Sequence, residues 1–170
     1  MVSVIYISTV GDTPLAVTNS FWCAVREDSL LVKKVYLLCS GDDEKRNIKG
    51  TSRRYEEIKN SILRISKNIG LSLREEDIVL AIVKEENPLE VYEKIEKIYK
   101  EHKDAYEICI DITGGRKTMS SGALLFARDK QLKCYYFWLF NPRKCYSKKL
   151  DELSEGLDYE LVRVHRLWKK

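Results

Sequence analysis

The chain has 170 residues, of which 44% are hydrophobic and 33% are charged, and its formal net charge is +4. This length and balance are typical of one folded domain with its own core, and they exclude a disordered or membrane-embedded chain. No apolar run approaches the ~18 residues that a membrane span requires. The first residues lack the basic flank of a signal peptide, so we expect a cytoplasmic protein.

The cysteines and the net charge argue against several kinds of ligand. The five cysteines are scattered without a CxxC pair, and in apolar runs a reduced cysteine behaves as a small hydrophobe. We therefore expect no disulfide, no metal site and no cofactor. A net charge of +4 gives weak support for a polyanionic partner and does not predict stable DNA binding.

Strands and helices are predicted to alternate along the chain, because short apolar runs rich in β-branched residues are separated by segments with helical spacing. In chain order, the predicted elements are a strand at 2–8, a helix at 14–27, a strand at 33–40, a helix at 51–70, a strand at 77–83, a helix at 87–103, a strand at 106–112, a helix at 117–130, a strand at 133–140 and an edge strand at 157–168.

Local signals support these boundaries. Pro14 and Pro88 suit the first turn of a helix, Asn87 suits a helix cap, and Gly70 suits a helix end. The fold class that follows is α/β: a doubly wound, mainly parallel, Rossmann-like sheet flanked by helices, with a C-terminal edge strand. Residues 1–170 are expected to form a single domain with no linker or second module.

Two short polar loops follow the first and fourth predicted strands and lead directly into helices. They read "TVGDTP" and "TGGRK". Glycine amides at a helix start favour anions, and in the second loop Thr113 adds a hydroxyl and Lys117 a cation. This pattern predicts phosphate binding, although a tight glycine turn beside a solvated lysine is the plainer alternative.

The spacing of these loops argues against two common nucleotide motifs. The GxxxxGK[ST] spacing of a P-loop is absent, and no GxGxxG follows the first strand. Asp111 ends the fourth predicted strand. We expect it to accept backbone hydrogen bonds from the neighbouring loop rather than to act as a catalytic acid.

The two loops resemble one known family in combination. The segment "DITGGRKTM" is similar to the D-x-T-G-G-T-K-x-M signature of the CRISPR-associated Rossmann-fold (CARF) domains. The segment "ISTVGDTPLAV" resembles the Ser/Thr-x-Gly-x-Ser/Thr-Pro turn of the same family. Both motifs stand in the family's order, and the resemblance covers the chain as one domain. The family usually has Thr where this chain has Arg116.

The resemblance implies a ligand and an assembly. CARF domains are homodimers that bind cyclic oligoadenylates, second messengers of type III CRISPR defence, with the ring across the two-fold axis. Carried over to this chain, the resemblance implies ligand-binding residues from both motifs. They are Gly11, Asp12 and Thr13 from the first motif, and Thr113, Gly114, Gly115, Arg116 and Met119 from the second. Ser40, Arg53 and Arg54, after the second predicted strand, are additional candidates.

Most members of the family carry an output module, and this sequence lacks the signs of one. The R-x4-H pair of a HEPN ribonuclease is missing, since Lys97 and Glu160 stand five places before His102 and His165. Too few residues follow the fifth predicted strand for a winged helix, and no PD-(D/E)xK pattern fits. The chain therefore resembles the stand-alone ring nucleases, which bind cyclic tetra-adenylate and cut it.

A metal-independent mechanism follows from the same resemblance, because neither loop holds a histidine or a carboxylate cluster for Mg²⁺. The ribose 2′-OH would attack the neighbouring phosphate and leave a 2′,3′-cyclic phosphate. Lys117 is expected to stabilise the developing charge, and Ser8 or Thr9 to orient the sugar or phosphate.

Two alternatives stay open. One is a non-catalytic sensor that binds the cyclic nucleotide and acts through a separate partner. The other is an unrelated α/β enzyme that holds a mononucleotide in its glycine loops. The sequence does not choose between rings of four and six adenylates.

Overall fold

The computed structural model describes residues 3–168. Its main elements, in chain order, are β1 (Ser3–Thr9), α1 (Pro14–Asp28), β2 (Leu31–Ser40), α2 (Tyr55–Asn68), β3 (Ile78–Val83), α3 (Pro88–His102), β4 (Glu107–Asp111), α4 (Lys117–Asp129), β5 (Lys133–Leu139), α5 (Pro142–Cys145) and β6 (Tyr159–Arg163). The predicted alternation of strands and helices is confirmed. The start of the first predicted strand, Val2, lies outside the described residues.

The predicted helix boundaries hold to within one residue for α1, α3 and α4. Pro14 and Pro88 each open a helix, and the Asn87 side chain accepts hydrogen bonds from the first backbone N–H groups of α3. Gly70 adopts a φ of 78°, a left-handed conformation that suits the end of α2. The segment before α2, Thr51–Arg54, is a 3₁₀ turn rather than its first α-helical turn.

The six strands form one sheet in the order β3-β2-β1-β4-β5-β6, and all neighbours are parallel except β5 and β6. The predicted α/β class, with a mainly parallel sheet and a C-terminal edge strand, is confirmed. The chain runs outward from β1 on one side and from β4 on the other. The crevice between the carboxyl ends of β1 and β4 is therefore the topological switch point, where such sheets bind ligands.

Helices cover both faces of the sheet. On one face α1 and α2 bury side chains that include Tyr6, Phe21 and Leu37. On the other face α3 and α4 bury a second cluster that includes Ile95 and Phe126. With both faces packed, the strands read as continuous apolar runs, which is why the pattern predicted a parallel sheet. No helix in residues 3–168 is long and apolar enough to cross a membrane.

The last predicted strand is shorter in the structure than in the prediction. The alternation over 157–168 predicts strand throughout, but β6 ends at Arg163 and Val164–Leu167 form a 3₁₀ turn. Arg163 pairs with Tyr135, and beyond it the His165 ring bonds to the backbone of Cys134. The prediction for the end of this segment was wrong because the His165 side chain, rather than a strand backbone, bonds to Cys134 there.

Candidate ligand-binding site

The loops after β1 and β4 are in direct contact at the switch point. A Cβ atom on Gly11 would lie 1.8 Å from the carbonyl oxygen of Gly114, and one on Gly115 would lie 2.5 Å from Cβ of Thr9. Only glycine allows backbones to approach this closely. The structure therefore brings together the two segments that the sequence singled out.

A mostly buried polar cluster lies beneath the two loops. We name it the floor: Ser8, Thr9, Asp111 and Thr113. The Ser8 hydroxyl donates to Oδ2 of Asp111 at 3.0 Å, and the amide and hydroxyl of Thr113 donate to its Oδ1 at 2.9 and 2.6 Å. Thr9 Oγ1 accepts the amide of Gly115 at 3.1 Å. These bonds tie β1 to β4 and to the glycine loop.

The structure holds Ser8, Thr9 and Thr113 in hydrogen bonds within the protein, whereas the sequence predicted that they face a ligand. Ser8 and Thr9 are 0% exposed, so neither hydroxyl presents a surface to a ligand. The Thr113 hydroxyl already bonds to Asp111 and accepts the amide of Phe137 at 2.8 Å. The side chains of these small polar residues form hydrogen bonds with one another and with neighbouring backbone groups instead of facing the crevice. We therefore assign them to positioning the loops.

Asp111 takes the structural part that its sequence position suggests, since it accepts the backbone N–H of Thr113. Its carboxyl group is fully buried. Burial raises the pKa of Asp111, against the hydrogen bonds from Thr113 and Ser8, which lower it. The carboxyl group is thus held inside the protein and does not touch the crevice.

Charged side chains surround the loops at the surface. We name this set the rim: Asp12, Arg53, Glu85, Arg116 and Lys117. Asp12 lies between two arginines, with Oδ1 2.6 Å from Arg53 and Oδ2 3.8 Å from Arg116. Arg116 also lies 2.7 Å from Oε1 of Glu85. These ion pairs therefore hold Arg53 and Arg116, two of the predicted ligand-binding residues, beside the two loops.

Lys117 is the first residue of α4, and its side chain is exposed. Within residues 3–168 it forms no ion pair, unlike the two arginines of the rim. The first N–H groups of a helix have no intrahelical partner and carry partial positive charge. No side chain caps this helix, because the Arg116 side chain makes no capping hydrogen bond. An anion at this point would meet a free ammonium group and a helix start together.

Three other predicted binding residues lie elsewhere. Met119 is 0% exposed and belongs to the core beneath α4. Ser40 is 1% exposed and exchanges hydrogen bonds with Thr51 at 2.9 and 3.0 Å. Arg54 lies 3.4 Å from Glu57 on the following helix. The structure gives these residues packing and local pairing, whereas Gly11, Asp12, Thr13 and Gly114 remain at the loops as expected.

Glu85 is a site residue that the sequence did not reveal. It follows β3, and its side chain is only 15% exposed. The hydroxyl of Thr118, in the first turn of α4, donates to its backbone carbonyl. The loop of Glu85 follows β3 at the carboxyl edge of the sheet, but which of its charges turns toward α4 depends on the long-range packing of α3 against α4.

The two histidines lie away from the crevice. His102 ends α3 and its ring bonds to Tyr36, while His165 bonds to Cys134 near the start of β5. Both places are at the amino ends of the strands, opposite the switch point. In the described part of the chain, no three His, Cys, Asp or Glu side chains stand close enough to hold a metal ion.

Comparisons with known proteins give neighbours in structure. Neither a protein-family model nor a curated protein matches the chain. Csm6 from Enterococcus italicus, bound to cyclic hexa-2′-fluoro-hexa-dAMP, matches 99% of this chain with a TM-score of 0.61 and 13% identity. VC1899 from Vibrio cholerae matches 78% with a TM-score of 0.55 and 10% identity. Can2 from Sulfobacillus thermosulfidooxidans, in complex with cyclic tetra-adenylate, matches 78% with a TM-score of 0.52 and 14% identity.

Each match covers only part of the larger protein. The aligned region makes up 44% of the Csm6 chain, 30% of VC1899 and 31% of Can2. At 10–14% identity these likenesses concern the course of the backbone and not the side chains of the site. This chain therefore shares its α/β fold with one region of each of these three proteins.

Proposed function

We propose that this chain is a CARF domain that binds a cyclic oligoadenylate, most favourably cyclic tetra-adenylate, at the interface of a homodimer. The observation that carries the proposal is the contact of the two motif loops at the switch point, with Gly11 against Gly114 and cations around them. Two proteins that share the fold, Can2 and Csm6, hold such rings in their structures. That agreement supports the ligand class.

The rim has the chemistry that a ribose–phosphate backbone needs. Lys117, which has no ion-pair partner in residues 3–168, and the start of α4 offer positive charge. Arg53 and Arg116 add two planar groups that suit phosphate oxygens. Their partner Asp12 is 52% exposed. Exposed ion pairs are worth little, so a phosphate can displace Asp12 from these arginines at small cost.

A second copy of the chain would complete the site. The two loops meet at the carboxyl ends of β1 and β4, and one subunit offers one set of these loops to a ring made of repeated, identical units. A two-fold axis through the ring would give each half of the ligand the same loops and the same cations. We therefore expect that binding of the ring also stabilises the dimer.

Cleavage of the ring would use the ligand's own nucleophile. The 2′-oxygen of one ribose attacks the adjacent phosphorus, the P–O5′ bond breaks, and the proton of the 2′-OH is finally carried by the 5′-oxygen. The products are linear chains with a 2′,3′-cyclic phosphate and a 5′-OH. Lys117, at the start of α4, and the amide of Gly114 stabilise the added negative charge, while Thr9 of the floor holds the Gly115 amide in place.

A non-catalytic sensor is the second candidate, and one observation favours it. The hydroxyls of Ser8 and Thr9, expected to orient the sugar or phosphate, are buried and already bonded. Without them, orientation for in-line attack depends on the rim and on the partner subunit. Binding without cleavage is then consistent with the same loops.

One experiment separates these functions. The protein is incubated overnight with cyclic tetra-adenylate in EDTA and the products are resolved by chromatography. Linear products that end in a 2′,3′-cyclic phosphate establish the nuclease. An intact ring recovered with a dimer establishes the sensor. Equal binding of ATP and of the ring points to a mononucleotide enzyme, and binding of neither overturns the proposal.

A further inference from the structure

The strand β3 lies at one end of the sheet, and its outer side, which we name the free edge, is open. β3 pairs with β2 alone, in a register that runs unbroken from Ile78 to Val83. Every second residue of such a strand points its N–H and C=O groups away from the sheet. The Tyr55 hydroxyl bonds to the carbonyl of Ile78, but within residues 3–168 the backbone of 79–83 bonds only to β2. A row of backbone groups is therefore left for another chain.

The sequence of β3 carries none of the features that protect an edge strand from pairing. Its six residues, IVLAIV, are all apolar, without a lysine, a proline or a bulge. The opposite edge differs, because β6 carries Glu160 and Arg163. The loop before β6 also covers its start, where the amide of Gly156 donates to the carbonyl of Tyr159. Of the two edges of the sheet, β3 is the one that can accept a further strand.

Two side chains of β3 extend the free edge into an apolar surface. Leu80 and Ile82 are 38% and 44% exposed, although both lie within a strand. They share the face of Ile78, which packs in the cluster beneath α1 and α2, because alternate residues of a strand point to the same side. A strand added at this edge would place its own alternate side chains beside these two. The surface therefore fits an extended segment with apolar residues at every second position.

The charges at the two ends of β3 determine which segment fits. Residues 74–77, before the strand, hold three acidic side chains and one arginine, and residues 84–86, after it, hold two glutamates and one lysine. Glu75, Glu76 and Glu86 are exposed. A second copy related by a two-fold axis would pair antiparallel and set one acidic end against the other, which opposes such a dimer. Lysine or arginine at both ends of the added segment would be attracted instead.

From these features we infer that the free edge of β3 binds an extended segment of another protein, with alternating apolar residues in its middle and basic residues at both ends. The segment adds one strand to the sheet through backbone hydrogen bonds. β2 separates β3 from the crevice between β1 and β4, so this surface is distinct from the proposed ring site. The inference therefore goes beyond the proposed function and does not depend on it.

The test uses the full chain and three synthetic peptides with capped ends. The first reads KKTVTVTVKK, the second reads EETVTVTVEE, and the third is the first with its central amides N-methylated. Affinity is measured by fluorescence anisotropy, and amide hydrogen exchange is followed residue by residue. We expect the basic peptide to bind about tenfold more tightly than the acidic one, and the methylated peptide not to bind. The amides of β3 should gain protection, and those of β6 should not.

Leu80→Glu separates strand pairing from simple charge attraction. It removes an apolar contact from the free edge and adds a negative charge, so it should weaken the basic peptide about fivefold. An electrostatic contact without strand pairing would instead become stronger. Leu157→Glu is the matched control, because Leu157 is 79% exposed in the loop before β6 and should leave binding unchanged.

Four results would overturn the inference. They are no binding of the basic peptide, equal binding of the basic and acidic peptides, equal binding of the methylated peptide, and binding that leaves the β3 amides unprotected. Protection of those amides that rises with the concentration of the protein alone would assign the free edge to a second copy, and the inferred partner would then be wrong.

Discussion

The floor and the rim of the crevice differ in how their polar groups are satisfied. The floor groups are mostly buried and bond to one another, with Asp111 accepting three hydrogen bonds. The rim groups are mostly exposed, and their ion pairs form between separate loops that a ligand can reach. The floor therefore determines the shape of the site, and the rim supplies what an anion would bind. Substitutions in the floor should therefore mainly change the stability of the protein, and substitutions in the rim should mainly change ligand binding.

The largest expected effect belongs to the rim. Lys117→Ala should lower cleavage of radiolabelled cyclic tetra-adenylate by about 10²–10³, because one positioned electrostatic donor is lost. The free energy of urea unfolding should not change, since the side chain is exposed and forms no ion pair among the described residues. Lys130→Ala, at the other end of α4, is the control and should cleave normally. Normal turnover by Lys117→Ala would rule out the assigned role.

The next effect tests the contact between the two loops. Gly11→Ala would place Cβ 1.8 Å from the Gly114 oxygen, so the loops must separate. We expect a loss of about 1–3 kcal/mol in the free energy of unfolding, as for other overpacked sites, together with a clear loss of ring binding. Gly41→Ala should be nearly neutral for stability, because its Cβ would meet only Ile82 at 3.4 Å. Equal stability of the two variants would mean that the loops do not constrain each other.

The sequence was sufficient to predict the fold and to single out the two loops that meet at the switch point. Continuous apolar runs between helical segments predict a parallel sheet, and parallel strands bring their carboxyl ends to one edge. Glycines at 11, 114 and 115 then marked the place where two of those ends meet. These features depend on local patterns, so they can be read before any packing is known.

The division between floor and rim was not accessible from the sequence. Ser8 and Thr9 look like ligand donors because they precede a glycine turn, yet their burial is decided by Asp111 on a strand that is distant in sequence. Glu85 joins the site only because α3 packs beside α4. Long-range contacts of this kind leave no periodic signal in the chain.

A smaller effect tests the departure from the family motif. Arg116→Thr introduces the residue usual in the signature that this loop resembles and removes one cation, so ring affinity should fall by up to about tenfold, with a salt dependence lower by about one ion. The loss also leaves the mostly buried Glu85 without its arginine. Titrations at several salt concentrations measure both quantities. Arg128→Thr, near the end of α4, is the control. An unchanged salt slope would place Arg116 outside the phosphate contacts.

The smallest effect concerns the floor and is a dependence on pH. Burial raises the pKa of Asp111 above its value in the unfolded chain, so the folded protein binds the proton more tightly. The stability of the unmodified protein should therefore fall, relative to Asp111→Asn, as pH rises from about 4 toward 7. The asparagine variant can keep the bonds to Thr113 through its oxygen and meet the Ser8 hydroxyl with its amide. Urea unfolding of the two proteins at several pH values across that range measures this relative change. If the unmodified protein instead gains stability over the variant with rising pH, the hydrogen bonds from Thr113 and Ser8 outweigh burial, and the floor stabilises a carboxylate rather than a neutral acid.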